Sequence, residues 1–123
     1  MLMNCIKSFK SLTDNDKLEC KLQFCKEGLM LSICKNESRY SFSTGIYVIE
    51  YNSEDFRKRL SNVSKDLDNH YDYVKFSETI DTFYINKHTI RISVNHLSEV
   101  HHFYMSLIEL RDLVFEYNNP VKD

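Results

Sequence analysis

Apolar and polar positions first alternate along this chain with a period of two, and later repeat with a period near four. In residues 17–24, Leu18, Cys20, Leu22 and Phe24 alternate strictly with charged or polar residues, the signature of a strand with one buried and one wet face. Lys26-Glu27-Gly28 supplies a turn with a glycine available for positive φ. Residues 29–34 then return as the hairpin partner. Residues 35–39 read as a second polar turn, and residues 40–51 as a longer strand bulged at Thr44-Gly45, where the alternation slips. Thr13-Asp14-Asn15-Asp16 reads as an earlier turn, and residues 2–12 fit a short helix or a first strand equally well.

At Asn52-Ser53 the period changes. Ser53 is a natural N-cap, Glu54 and Asp55 suit the positive helix end, and Phe56, Leu60, Val63 and Leu67 form an apolar stripe. Arg57, Lys58, Arg59 and Lys65 lie opposite, and the helix should end near Asp68-Asn69-His70. Residues 71–76, 79–86 and 88–95 read as three short strands, with a tight turn at Asn86-Lys87. A second helix is predicted from Leu97-Ser98-Glu99 with Ser98 as N-cap. Phe103, Leu107, Leu110 and Val114 form its stripe, Val100, Tyr104 and Ile108 flank it, and Asn118-Asn119-Pro120 stops it. The expected fold is α+β: an antiparallel sheet of about five to six strands with two amphipathic helices, in the order (β/α)-β-β-β-α-β-β-β-α.

Two glycines, one proline and no flexible linker in 123 residues point to a single domain spanning residues 1–123. No run approaches the ~20 apolar residues of a membrane span, and Met1 to Lys7 lacks the form of a secretory signal. Cys5, Cys20, Cys25 and Cys34 are separated by 15, 5 and 9 positions, so no C-x-x-C clamp occurs. The expectation is a cytoplasmic protein with reduced, mostly buried thiols.

Candidate chemistry fails on geometry. His96, His101 and His102 lie close in sequence, but the His-x-x-x-His spacing of two ligands on one helix face is missing. Cys20 belongs to an apolar strand face, and no cysteine precedes a helix, where a thiolate would be stabilised. No glycine-rich turn opens either helix to hold a phosphate. Catalytic, metal and cofactor-binding residues are therefore expected to be absent, and the protein is expected not to be an enzyme.

Charge changes the picture more than chemistry does. The formal net charge is −2, too balanced for a domain devoted to a phosphate backbone. Tyr71-Asp72-Tyr73 and residues 47–51 place their tyrosines next to acid, where a nucleic-acid stacking platform needs Lys or Arg. Residues 66–81 hold Asp66, Asp68, Asp72, Glu78 and Asp81 against Lys75 alone. With Tyr71 and Tyr73 they make a candidate surface for a basic protein partner, since tyrosine gives contact area at low entropic cost and the acid steers association.

The layout from Leu18 to Cys34, the helix from Ser53 to Leu67, and Thr89-Ile90-Arg91-Ile92-Ser93-Val94 leading into Leu97-Ser98 resemble small immunity proteins of bacterial contact-dependent inhibition and other polymorphic toxin systems. That resemblance implies an antitoxin that binds a cognate toxin domain, typically a basic nuclease, and occludes its active site without binding nucleic acid or membrane itself. The acidic segment would mimic the charge of the toxin's substrate. A phage or mobile-element inhibitor of a host defence enzyme is the alternative. A small enzyme or RNA-associated factor using His96, His101 and His102 is a second.

Overall fold

The computed structural model describes residues 4–11, 18–37 and 40–119. The turn expected at Thr13 to Asp16 and the stop at Pro120 lie outside them. The chain divides into two compact units, Met1–Asn52 and Ser53–Asp123.

The first unit is an antiparallel meander of β1 (Cys5–Lys10), β2 (Leu18–Cys25), β3 (Gly28–Glu37) and β4 (Tyr40–Tyr51), in that spatial order. The alternation read in β2 is realised: Cys20, Leu22 and Phe24 are buried, with Leu22 opposite Leu31 and Phe24 opposite Leu29. Phe9 of β1 meets the Phe24 ring edge-on at 5.9 Å. The β2–β3 turn depends on Gly28, at φ 146°, because a Cβ there would lie 2.1 Å from the Glu50 carbonyl oxygen. The bulge expected at Thr44-Gly45 is present: Ile33 pairs with Gly45 and Cys34 with Ser43, which leaves Thr44 unmatched.

The second unit begins with α1 (Glu54–Asp68). The Ser53 hydroxyl caps it, accepting from the Phe56 N–H at 3.1 Å. Phe56, Leu60, Val63 and Leu67 are buried, each contributing about 1.5–3 kcal/mol by leaving water. The Phe56 ring meets Phe76 at 5.8 Å and Tyr117 at 5.3 Å, both edge-on. A second meander follows: β5 (Tyr73–Lys75), β6 (Ile80–Tyr84), β7 (Thr89–His96) and β8 (Glu99–Ser106), again in spatial order and antiparallel. After β8 comes α2 (Leu107–Asn118), which packs on α1. Four strands then a helix thus occur twice. No helix among the described residues is long and apolar enough to cross a membrane.

The α+β class with two helices holds, but among the described residues the strands number eight in two four-stranded sheets, rather than five to six in one. The difference comes from residues 97–106, predicted as helix and folded as the turn and strand β8. Leu97 and Ser98 have φ of 48° and 65°, the paired left-handed conformation of a two-residue hairpin turn. Neither residue type advertises it. Beyond the turn, His101, Phe103 and Met105 are buried while Val100 and Tyr104 are exposed, a period of two. Phe103 and Leu107 share helical spacing by coincidence, one ending a strand pattern and the other opening α2. The true helix start is a capping box: the Glu109 N–H donates to Ser106 Oγ, and the Ser106 N–H donates to Glu109 Oε1, both at 3.0 Å.

Candidate interaction surface

Strand parity divides the second sheet into two faces. Ile80, Ile90, Ile92, Val94, Phe103 and Met105 point to the buried side. Thr82 joins them and satisfies its hydroxyl on the Val74 carbonyl. The opposite face carries two cross-strand rows. In one, Asp81, Ser93 and His102 are successive partners; in the other, Tyr73, Phe83, Arg91 and Tyr104 are. The Arg91 guanidinium lies over the Phe83 ring at 4.5 Å, and Tyr73 packs on Phe83 at 5.1 Å. Tyr73 is 48% exposed and Tyr104 37%. The Tyr73 hydroxyl donates to Asp81 Oδ1 at 2.6 Å, which holds the phenol above its ordinary pKa because ionisation would break that bond.

Ser93 Oγ and His102 Nδ1 share a hydrogen bond of 2.7 Å. Serine, histidine and aspartate are neighbours here, but the serine lies between the other two. Nucleophilic catalysis needs the imidazole in the middle, oriented by the acid through its second nitrogen. The row is better read as cross-strand neighbours of which Ser93 and His102 are hydrogen-bonded and Asp81 is engaged by Tyr73. Burial, helped by the Arg91 charge, lowers the His102 pKa.

The seven residues singled out by the sequence differ in what their side chains engage. Asp68 turns to the helical side and makes a two-point ion pair with Arg111 of α2, through Arg111 Nε at 3.2 Å and Nη2. Glu78 pairs with Lys75 at 3.4 Å, and Asp81 receives Tyr73 on the open sheet face. Tyr71, at 57% exposure, and the exposed Asp72 occupy the passage from α1 into β5, with half-buried Asp66 in the last turn of α1. The carboxylates of Asp66 and Asp72 form no ion pair among the described residues. Phe83, Arg91, Ser93, His102 and Tyr104 are not predicted from the sequence as surface neighbours of Tyr73: the first three join it through the β5–β6–β7 pairing, and only His102 and Tyr104 through the hairpin at Leu97-Ser98.

The histidines diverge as well. His101 and His102 are successive strand residues and point to opposite faces. His101 is buried, with Nε2 at 3.7 Å from Glu99 Oε2. Burial lowers its pKa, opposed by Glu99 and reinforced by His96 and His102. Among the described residues no group of three or more His, Cys, Asp and Glu is arranged to hold a metal ion.

No family model matches the chain, and no curated protein matches it. Among solved structures it is similar to one titled "Crystal structures of trypanosoma bruciei MRP1/MRP2", with 11% identity over 98% of this chain and 88% of that one, at a TM-score of 0.49. A likeness of that grade bears on neither partner nor chemistry.

Proposed function

We propose that this chain is a non-catalytic protein-binding domain acting as a cytoplasmic immunity protein, which neutralises a basic toxin domain by covering its active site. The observation that supports this reading is the pairing of exposed aromatics with uncommitted acid: Tyr71 and Tyr73 flank Asp72, and Asp66 and Asp72 have no ion-pair partner among the described residues. Such a surface offers aromatic anchors and a steering charge to a cationic partner. Asp68, Glu78 and Asp81 are already engaged within the unit, so Asp66, Tyr71, Asp72 and Tyr73 are the narrower interface.

The test is protection of cells expressing the protein encoded by the adjacent reading frame. Asp66→Asn with Asp72→Asn should slow association and weaken binding about tenfold or more at low salt, while Asp68→Asn should leave association unchanged. Full protection by the double variant at normal expression, with unaltered binding, refutes the reading.

A second reading is favoured by the Tyr73–Phe83–Arg91–Tyr104 row. Aromatics interleaved with a cation on one open sheet face are what single-stranded nucleic acid stacks upon. Fluorescence anisotropy with labelled oligo(dT) and oligo(U) separates the two. Saturable binding lost in Arg91→Ala and Tyr104→Ala would replace the immunity reading.

A further inference from the structure

Cys5 and Cys25 are directly opposed across the β1–β2 ladder. The Lys26 N–H donates to the Asn4 carbonyl at 2.9 Å, one position beyond them. On that side the bond is the one that brackets a closely spaced pair, with Cα atoms about 4.5 Å apart in a regular antiparallel ladder, and a bulge follows between Cys5 and Lys7. A disulfide spans Cα separations of roughly 4.4–6.8 Å. The two side chains are within hydrogen-bonding reach of each other. Cys5 is exposed and Cys25 is buried, so one sulfur meets solvent-borne reagents and the other waits behind it. Cys25 is paired with Gly28 on its other flank.

We propose that Cys5 and Cys25 form a thiol-oxidation site that reacts with low-molecular-weight disulfides and closes as a cross-strand disulfide. The Cys5 thiol gives its proton to solvent, and its thiolate attacks one sulfur of the reagent. That S–S bond breaks, and one reagent thiolate leaves and is protonated. The Cys25 thiol then loses its proton to solvent and attacks the Cys5 sulfur, expelling the second reagent thiolate. Two protein thiols are oxidised to one disulfide, and one reagent disulfide is reduced to two thiols. Burial, then the neighbouring Cys5 and the Glu27 charge, push the Cys25 thiol up to about 12. This keeps Cys25 from acting first and makes Cys5 the entry point. Capping Cys5 as a mixed disulfide removes its own contribution to that elevation, which favours the closing step.

The test treats the folded full chain with oxidised glutathione near pH 8.5, where an ordinary thiol is about half ionised, followed by alkylation and a non-reducing tryptic map. Lys7, Lys17, Lys21, Lys26 and Lys35 place the four cysteines on separate tryptic peptides, so the linkage is unambiguous. The expected product joins the Cys5 and Cys25 peptides and carries no glutathione. Cys5→Ser, at an exposed position, should abolish the linkage and leave Cys25 unmodified in the folded protein. Cys25→Ala, if it folds, should stop at glutathione on Cys5. A persistent mixed disulfide on Cys5 in the unsubstituted chain, a linkage to Cys20 or Cys34, oxidation of Cys25 in Cys5→Ser, or no reaction at all overturns the proposal.

Discussion

Replacing Leu97-Ser98 with Asn-Gly should stabilise the second unit. Both residues hold left-handed backbone, with φ of 48° and 65°, which costs an ordinary L-residue roughly 1–2 kcal/mol because Cβ crowds the following carbonyl. Asparagine tolerates that region and glycine occupies it without penalty, so relief at the two positions sums to about 2–3 kcal/mol. Glycine returns about 0.5–1 kcal/mol through the greater entropy of the unfolded chain. Leu97 is 74% exposed, so removing its side chain forfeits little packing. The net expectation is about 1–2 kcal/mol, or roughly 4–8 °C in Tm for a chain this size. Urea unfolding followed by far-UV circular dichroism, with Tm from calorimetry, measures it. The sign decides between two local structures. If Ser98 were the N-cap of a helix, Ser98→Gly would cost a few tenths of a kcal/mol and the pair would gain nothing. A midpoint that fails to rise, at unchanged m value, refutes the hairpin geometry assigned here.

Two further outcomes follow from the same unit. Ser106→Ala removes half of the capping box on α2 and should cost about 1 kcal/mol, read as a lower urea midpoint; Ser106→Asp should recover most of it. His101 and His102 both have folded pKa values lowered by burial, so below about pH 6.5 the unfolded imidazoles bind protons that the folded ones resist. Stability should therefore be complete above that pH and decline as pH falls toward the folded values. His101→Gln should flatten this slope, and an equally steep slope in that variant would show that other groups cause it.

Legibility in the sequence followed the range of the interactions involved. The β2–β3 hairpin, the bulge at Thr44 and the Ser53-capped helix are each specified by residues close together in the chain, through alternation, glycine and capping chemistry, and each is legible there. Strand β8 was missed because its turn lacks Asn or Gly, and because the spacing of Phe103, Leu107 and Leu110 matches a helix across a real strand-to-helix junction. The capping signature Ser106-x-x-Glu109 was available and marks the true boundary. The surface was harder to read. Asp68 lies 43 positions from Arg111, and the row of Tyr73, Phe83, Arg91 and Tyr104 draws one residue from each of four strands. Neither arrangement leaves a local trace. The acidic run was visible as composition, yet composition does not say which carboxylates already have partners.

Among the described residues every sheet ladder joins strands that are neighbours in the chain, β1 to β2 to β3 to β4 and then β5 to β6 to β7 to β8. Each closes a short loop, so a meander can zip one hairpin at a time without waiting for a distant segment to arrive. Folding rates fall with the sequence separation of contacts. This chain should accordingly fold faster than sandwiches and barrels of similar size whose strands pair across long gaps. Within the second unit the late step is the docking of α1 on α2, which a whole meander separates. Refolding should therefore assemble the sheet early and bury the Phe56 and Tyr117 rings last.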